Sequence, residues 1–166
     1  MDTEEAKILV DNLQKSDPTI FNIEYSKLKD LVSLASGNFG DVYCGLYQNR
    51  KVAVKQLLDV DDEKMHKYLT REIQTLKEIQ HPNIVEYLGV CKHTSGLYIV
   101  TEFINGGDLR RVLKATNTDL PWRYRIQLAI NICSGMAHLH SKNVVHRDLK
   151  SHNILVYFFF SFFYIF

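Results

Sequence analysis

Residues 144–156 read VVHRDLKSHNILV, a stretch dense in groups that can handle phosphate. Asp148 and Asn153 stand five residues apart, with Lys150 between them. Asp148 can accept or orient a hydroxyl proton, and Lys150 can neutralise a phosphate during transfer. The side-chain oxygen of Asn153 can ligate Mg²⁺. The stretch therefore predicts a site in which these three side chains surround one reacting phosphate.

Three weaker signals lie upstream of this stretch. The segment SGNFG, residues 36–40, has two glycines that would let the backbone approach a phosphate closely. Lys55 ends the strand-like run VAVK, where a lysine seldom lies without a partner. Glu72 lies on a helix with an apolar stripe and could pair with Lys55. Taken singly, these signals also fit a plain hairpin, a surface lysine and a solvated helix face.

Hydrophobic patterning predicts the order of the secondary-structure elements. Residues 27–58 have alternating apolar positions broken by glycines and a polar turn, which is typical of antiparallel strands. Residues 61–80 have apolar positions at intervals of three and four, which predicts a helix that ends before Pro82. Two short apolar strands follow at 83–90 and 97–103, and a long helix begins at Pro121. The pattern β-β-β-α-β-β followed by helices predicts an α+β fold.

The bulk composition restricts the class of protein. The chain has 166 residues, a formal net charge of +1 and three cysteines without a C-x-x-C pair. These values favour a single domain in a reducing, cytoplasmic compartment, and they do not favour nucleic-acid binding. The N-terminus lacks the apolar run of a signal peptide. The uncharged run from Ile154 to Phe166 would be only about 20 Å long as a helix, too short to cross a ~30 Å hydrocarbon core, so a membrane partner is not expected.

The motifs together resemble the eukaryotic protein kinase domain, with matching order and spacing from about Leu28 to Val156. The resemblance implies a small antiparallel β lobe with one long helix, followed by the beginning of a helical C-lobe. It also implies ATP and Mg²⁺ as cofactors, with Asp148 as catalytic base, Lys150 beside it and Asn153 as metal ligand. The residues that it assigns to the nucleotide site are Ala35, Gly37, Phe39, Gly40, Val42, Ala53, Lys55, Glu72, Thr101, Glu102, Ile104, Asp108 and Leu155.

The same resemblance implies roles within this pocket. Backbone groups of Glu102 and Ile104 would meet the adenine edge, Thr101 would close the back of the pocket and Asp108 would reach the ribose. Lys55 would contact the α- and β-phosphates and pair with Glu72. Three apolar side chains would sandwich the purine: Val42, Ala53 and Leu155.

The form HRDLK is similar to kinases that act on serine and threonine. The stretches HPNIVEYLGV and LPWRYRIQLAINICSGMAHLH look like the tyrosine-kinase-like group. The resemblance therefore implies a protein substrate with a serine or threonine acceptor.

The sequence departs from the kinase pattern in two places. Ala35 stands where the family has the first glycine of its loop, and its methyl group would cost about 1 kcal/mol if the backbone there needed a glycine-only angle. The second departure is larger, because no D-F-G segment follows Val156, and Asp148 is the last aspartate of the chain. One metal ligand, Asn153, then remains. We expect a kinase truncated before the D-F-G segment and inactive as written.

The end of the chain leads to further expectations. In the family, later helices bury the apolar stripe of the helix that begins at Pro121, so here the stripe is expected to face water. Its members are Trp122, Ile126, Ala129, Ile130, Cys133 and Ala137. The aromatic run at 157–166 has the composition of an aggregation-prone segment. The expected division is an N-terminal extension at 1–26, an N-lobe at 27–104, a partial C-lobe at 105–156 and a tail at 157–166 outside the native domain.

Three functions remain open at this stage. The first is ATP-dependent phosphoryl transfer to serine or threonine of proteins. The second is a non-catalytic module that binds nucleotide or competes for the partners of a full-length kinase. The third is a short fragment whose aromatic tail lies at a membrane interface.

Overall fold

The computed structural model describes residues 22–37, 40–57, 73, 76–115, 120–157 and 163–165. The chain divides into two compact units. The first comprises Met1–Glu78 and Tyr87–Phe103, and the second comprises Ile79–Glu86 and Ile104–Phe166. The chain leaves the first unit for the last time after Phe103. This boundary is one residue from position 104, the predicted end of the N-lobe.

The first unit is built on a five-stranded antiparallel sheet. Its strands are β1 (Lys29–Gly37), β2 (Gly40–Tyr47), β3 (Arg50–Leu57), β4 (Tyr87–His93) and β5 (Gly96–Glu102), in the order β1-β2-β3-β5-β4. The predicted polar turn between β2 and β3 is present at Gln48 and Asn49, which have φ angles of 49° and 63°. Two left-handed residues form the tight turn that matches the twist of a hairpin.

One face of this sheet packs on a hydrophobic core. Val52, Val54 and Val100 have no exposed surface, and they pack in one cluster with Leu28 and Tyr98. The cluster includes Ile23, whose backbone N–H donates to the carbonyl of Val90 on β4. Residues 22–28, part of which was assigned to an N-terminal extension, thus pack against the sheet, while residues 1–21 lie outside the described residues.

The strand before β5 starts later than the sequence pattern indicated. The prediction placed it at 83–90, whereas β4 spans Tyr87–His93. The reason is a turn after Pro82: the side chain of His81 accepts a hydrogen bond at Nδ1 from the backbone N–H of Asn83, at 3.1 Å. The N–H of Ile84 also donates to the carbonyl of His81 at 3.0 Å, so the first residues of the predicted strand are in this turn. Of the helix predicted at 61–80, residues 73 and 76–78 are helical and Ile73 is fully buried, while 61–72, 74 and 75 lie outside the described residues.

The second unit contains two described helices, α1 (Leu109–Ala115) and α2 (Trp122–Ser141). Pro121 is the N-cap of α2, and its carbonyl accepts hydrogen bonds from the N–H groups of Tyr124 and Arg125, as predicted for a helix that begins at this proline. At the other end Asn143 has a φ of 58°, the left-handed angle that commonly terminates a helix. Among the described residues, no helix combines the length and apolar character that a bilayer crossing requires.

The apolar stripe of α2 faces solvent, as the sequence predicted for a helix without the family's later helices. Trp122 is 73% exposed, and Ile126 and Ile130 are also exposed. The buried positions of α2 are Asn131, Gly135 and Leu139 instead. The helix turns this other face inward because Leu139 packs in a cluster with Ile79 and Ile84.

A second, two-stranded sheet follows the predicted catalytic segment. β6 (Ile154–Val156) pairs antiparallel with β7 (Phe163–Ile165). Three residues of the aromatic tail are thus in a strand that adjoins α2, while 158–162 and 166 lie outside the described residues. The placement of the tail outside the native domain stays a prediction. The observed order of a β-sheet unit followed by a helical unit confirms the α+β, kinase-like fold.

Candidate active site

The three residues of the predicted catalytic segment form one hydrogen-bonded cluster. Lys150 Nζ lies 2.7 Å from Asp148 Oδ2. Asn153 Nδ2 donates to the same carboxylate oxygen at 2.9 Å and to the backbone carbonyl of Asp148 at 2.8 Å. The amide of Asn153 therefore fixes the orientation of the carboxylate, and its own oxygen is on the side away from these two acceptors.

Asp148 is exposed, but its partners change its titration. The hydrogen bond from Lys150 lowers the pKa of Asp148 below its ordinary value, and the bond from Asn153 lowers it further. Both interactions favour the charged form of the carboxyl group. The carboxylate therefore stays ionised in mildly acidic solution, in the state that can accept a hydrogen bond from a hydroxyl group.

The backbone that presents Asp148 is strained. Arg147 has a φ of 64°, an angle that a side chain with a Cβ rarely adopts. The turn brings the N–H of Asp148 to 2.9 Å from the carbonyl of His146. Beyond it the chain forms a single 3₁₀ turn, Ser151–Asn153, in which the N–H of Asn153 donates to the carbonyl of Lys150 at 2.9 Å. Strain of this kind costs of order 1–3 kcal/mol and concentrates at functional sites.

Other predicted residues of the second unit lie close to this cluster in the fold. Asp108 and Leu155 form an isolated β-bridge, and the N–H of Val156 donates to the carbonyl of Gly107 at 2.9 Å. Asp108 Oδ1 accepts a hydrogen bond from the N–H of Arg111 at 2.8 Å, so this carboxylate caps the first turn of α1. Ile104 is buried. The segment that carries Asp108 is thus joined to the strand that follows Asn153.

In the first unit, strand register collects the predicted nucleotide residues on one sheet face. Val42 on β2 is directly opposite Ala35 on β1 and Lys55 on β3. Ala53 on β3 is directly opposite Thr101 on β5. Paired residues share a face, and so do positions two apart on a strand, so all five lie on the face opposite to the valine core. The small side chain of Ala53 and the aliphatic Val42 make this face apolar beside a lysine.

Two glycines lie at the hairpin end of strands β1 and β2. Gly37 and Gly40 are the last pair in the ladder between β1 and β2, and Gly40 has a φ of 111°, which only glycine adopts readily. Ala35, by contrast, is not among the residues with a positive φ. The predicted penalty for its methyl group therefore does not arise. Phe39, the residue between the glycines that was assigned to the site, lies outside the described residues.

The side chain of Thr101 forms a hydrogen bond at the end of β5. Thr101 is buried, and its hydroxyl donates to the carbonyl of Glu102 at 3.2 Å. Glu72 lies outside the described residues, and its pairing with Lys55 stays a prediction.

Comparison with known proteins agrees with this geometry. A model of the protein tyrosine and serine/threonine kinase family matches residues 28–159. The chain belongs to this family. It is 46% identical over 140 residues to the Kinase and exchange factor for Rac A of Dictyostelium discoideum, covering 83% of this chain and 10% of that protein.

A second relative is the RasGEF domain-containing serine/threonine-protein kinase X of the same organism. It is 42% identical over 137 residues, which cover 82% of this chain and 14% of the relative. The chain thus spans about a tenth to a seventh of the length of these two relatives. The kinase family uses ATP and Mg²⁺ in phosphoryl transfer.

The residues of the first unit fit a nucleotide, because the apolar sheet face with its lysine suits a purine and its phosphates. Among the described residues, no group of three or more histidine, cysteine, aspartate or glutamate side chains could hold a metal ion. That the magnesium site is incomplete stays a prediction. Asn153 supplies a single oxygen, and a compact hard cation needs several oxygen ligands.

Sequence reasoning missed two features of this kinase site. The left-handed Arg147 has no sequence signal, because the residue is not a glycine, asparagine or aspartate. The contact between Arg110 and His152, whose Nη1 and Nε2 atoms lie 2.8 Å apart, joins residues 42 positions apart. No local pattern predicts such a pair; the basic residues of RRVLK would have been the only hint.

Proposed function

We propose that this chain carries the catalytic segment of a serine/threonine protein kinase, which transfers the γ-phosphate of ATP to a protein hydroxyl group. The observation that carries the proposal is the cluster of Asp148, Lys150 and Asn153. Asp148 is ionised and oriented, so it accepts the hydrogen bond of the incoming hydroxyl and fixes the oxygen for attack. Lys150 lies close enough to Asp148 to meet the transferred phosphate and offset its charge.

The choice of serine and threonine rests on the lysine two residues after Asp148. The name of the second relative, a serine/threonine-protein kinase, supports it. ATP would lie against the sheet face of the first unit, with its purine on Val42 and Ala53 and its phosphates near Lys55. When bound, Mg²⁺ would neutralise charge on these phosphates, and Asn153 is the residue present here that would contribute an oxygen to it.

A second candidate function follows from the sheet face of the first unit. In this function the chain holds nucleotide through the sheet face and transfers phosphate slowly or not at all. Such a chain would act as a nucleotide-binding module or would compete for the partners of a complete kinase. The observation that favours this second function is the sheet face beside Lys55, which can hold a nucleotide without a metal ligand.

One pair of assays separates the two functions on the full chain. The first measures transfer of labelled phosphate from ATP to a mixture of serine and threonine peptides, and compares Asp148→Asn with Asp30→Asn, an exposed aspartate on β1. The second measures binding of a fluorescent ATP analogue with and without Mg²⁺, and compares the original chain with Lys55→Met.

Transfer that Asp148→Asn abolishes and Asp30→Asn leaves intact would support the first function. Binding that needs Lys55, does not depend on Mg²⁺ and is not followed by transfer would support the second. A chain that neither binds the analogue through Lys55 nor transfers phosphate would contradict both.

We also propose a cytoplasmic location. Cys44, Cys91 and Cys133 are all free, and burial raises the pKa of the Cys91 thiol to about 11. Three unpaired thiols suit a reducing compartment. Fractionation of cells that express the tagged chain would test the location, and recovery in a secreted or organelle fraction would contradict it.

A further inference from the structure

A basic depression lies beside the catalytic segment in the second unit. It has a volume of about 430 Å³ and is lined by side chains from α1 and from the 3₁₀ turn that precedes β6. The basic members are Arg110, Arg111, Lys114 and His152. All four are exposed. The depression is therefore open to a ligand that approaches from solvent.

The acidic side chains of the depression do not neutralise its basic ones. Its one acidic member, Asp108, already accepts the hydrogen bond from the N–H of Arg111. Among the described residues, no carboxylate forms an ion pair with Arg110, Arg111 or Lys114. Three permanent cations thus surround a space that holds one capped carboxylate.

The contact between Arg110 and His152 prepares the site for an anion. A guanidinium group can only donate hydrogen bonds, so His152 accepts at Nε2 when it lies 2.8 Å from Arg110 Nη1. This contact holds the guanidinium toward the 3₁₀ turn and leaves its other N–H groups free to point into the depression. A carboxylate or phosphate matches such a fork of donors with two parallel hydrogen bonds.

The depression lies within reach of the proposed phosphoacceptor. His152 immediately precedes Asn153, whose amide holds Asp148. His152 lies four positions after Asp148, so their Cα atoms are at most about 15 Å apart. An extended peptide advances about 3.3 Å per residue. A substrate whose hydroxyl meets Asp148 would therefore bring a side chain no more than about five residues away into contact with the basic group.

We propose that this depression recognises an acidic side chain of the protein substrate, either a carboxylate or a phosphorylated residue, within about five residues of the serine or threonine. The inference rests on the proposed function and adds to it the class of substrate. A nucleic-acid ligand fits less well, because the chain carries a net charge of only +1 and the basic group is confined to one small depression.

Peptide binding tests this proposal without requiring transfer. Fluorescein-labelled peptides would carry one serine with a single glutamate or phosphoserine walked through the five positions on each side, and a parent peptide would carry glutamine there. Anisotropy titrations with the full chain at low salt should show at least about tenfold tighter binding for the best acidic peptide than for the glutamine peptide. The glutamate and phosphoserine series separate the two sources of charge.

Variants assign the effect to the depression. Arg110→Gln with Arg111→Gln should reduce the acidic peptide to the affinity of the glutamine peptide, whereas Arg123→Gln, an exposed arginine on α2, should leave the preference intact. Arg110→Lys with Arg111→Lys keeps the charge, and this double variant should retain part of the preference for the acidic peptide. Equal thermal midpoints would show that the variants fold. Equal binding of acidic and glutamine peptides by the original chain would overturn the proposal.

The position of the acceptor is tested separately. When the serine of the best peptide is replaced by photoreactive benzoylphenylalanine, cross-links should fall within residues 146–153. Cross-links elsewhere would overturn the substrate assignment, as would a short oligonucleotide that binds more tightly than the peptide and loses binding in the same double variant. These readouts do not depend on ATP, so they can fail while the transfer and nucleotide assays succeed, or the reverse.

Discussion

The candidate site residues form two parts, one within each unit, and the two parts are held by different kinds of interaction. In the first unit, strand register places Val42, Ala53 and Lys55 on one face, and a fully buried valine layer supports the other face of the sheet. In the second unit, Asp148 is exposed, and it is oriented by side-chain hydrogen bonds and a strained backbone. The first part is robust to the loss of one polar contact, whereas the second depends on each of its few contacts.

This difference has a functional consequence. A surface that binds a flat ring must have a shape complementary to the ring. Strand pairing over a packed core provides such a surface with few polar side chains. A carboxylate that meets a hydroxyl needs direction, and only hydrogen bonds supply direction. We therefore expect substitutions in the sheet to change stability first, and substitutions in the catalytic segment to change chemistry first.

The largest effect is expected from Asp148→Asn. Loss of a positioned base lowers phosphoryl transfer by about 10²–10⁴-fold, and the thermal midpoint should barely change because the side chain is exposed. Transfer to a peptide and thermal unfolding should be measured on the same preparation. Retention of more than a tenth of the transfer rate would show that Asp148 is not the catalytic base. The expected difference between the two units, stability in one and chemistry in the other, would then be wrong.

A core substitution in the sheet should behave in the opposite way. Val54 is fully buried and pairs with Val100, so Val54→Ala should lower the free energy of unfolding by about 2 kcal/mol. Val32→Ala is the matched control, because Val32 is 64% exposed and should change stability by less than about 0.5 kcal/mol. Urea unfolding measures both. Equal effects at the two positions would contradict the assignment of the two sheet faces.

Patterns along the chain predicted the fold better than they predicted the contacts of the site. The strand pattern of residues 27–58 is a local property, and the structure has antiparallel strands there. The start of β4 was wrong because it depends on a side chain, His81, that caps the turn before it. The pair Arg110 and His152 could not be predicted, since two distant segments must fold together before the contact exists.

The exposure of the apolar stripe of α2 was predicted from the resemblance to the family and not from periodicity alone. Periodicity identified its apolar positions correctly, including Trp122 and Ile130, but periodicity cannot tell which face of a helix the rest of the molecule covers. The covered face holds Asn131 and Gly135 instead, because the residues that pack there come from another part of the chain. Burial is decided by tertiary partners, and only the structure reveals them.

A titration would sharpen the account of the second unit. Lys150→Met removes the largest cause of the lowered pKa of Asp148, so the pKa should rise toward the ordinary aspartate value; Asn153→Ala should raise it by less. The stabilisation linked to the lowered pKa is fully present above the ordinary value and is lost as the pH falls through the lowered value. Carboxyl chemical shifts measured by NMR between pH 2 and pH 6 would follow both variants. An unchanged pKa in Lys150→Met would mean that the 2.7 Å pair does not persist in solution.

The smallest effect is expected at the position where the sequence departs from the glycine pattern of its family. Ala35 pairs with Val42 at an ordinary backbone angle, so Ala35→Gly relieves no strain and only increases the freedom of the unfolded chain. We expect a loss of about 0.5–1 kcal/mol in unfolding free energy and a change of less than about twofold in the affinity for a fluorescent ATP analogue. Gly40→Ala is the contrasting variant, because Gly40 has a φ of 111° and should weaken binding more than Ala35→Gly does. If Ala35→Gly strengthened nucleotide binding several-fold, the methyl group would be obstructing the ligand itself, and the sheet face would be less open than its register indicates.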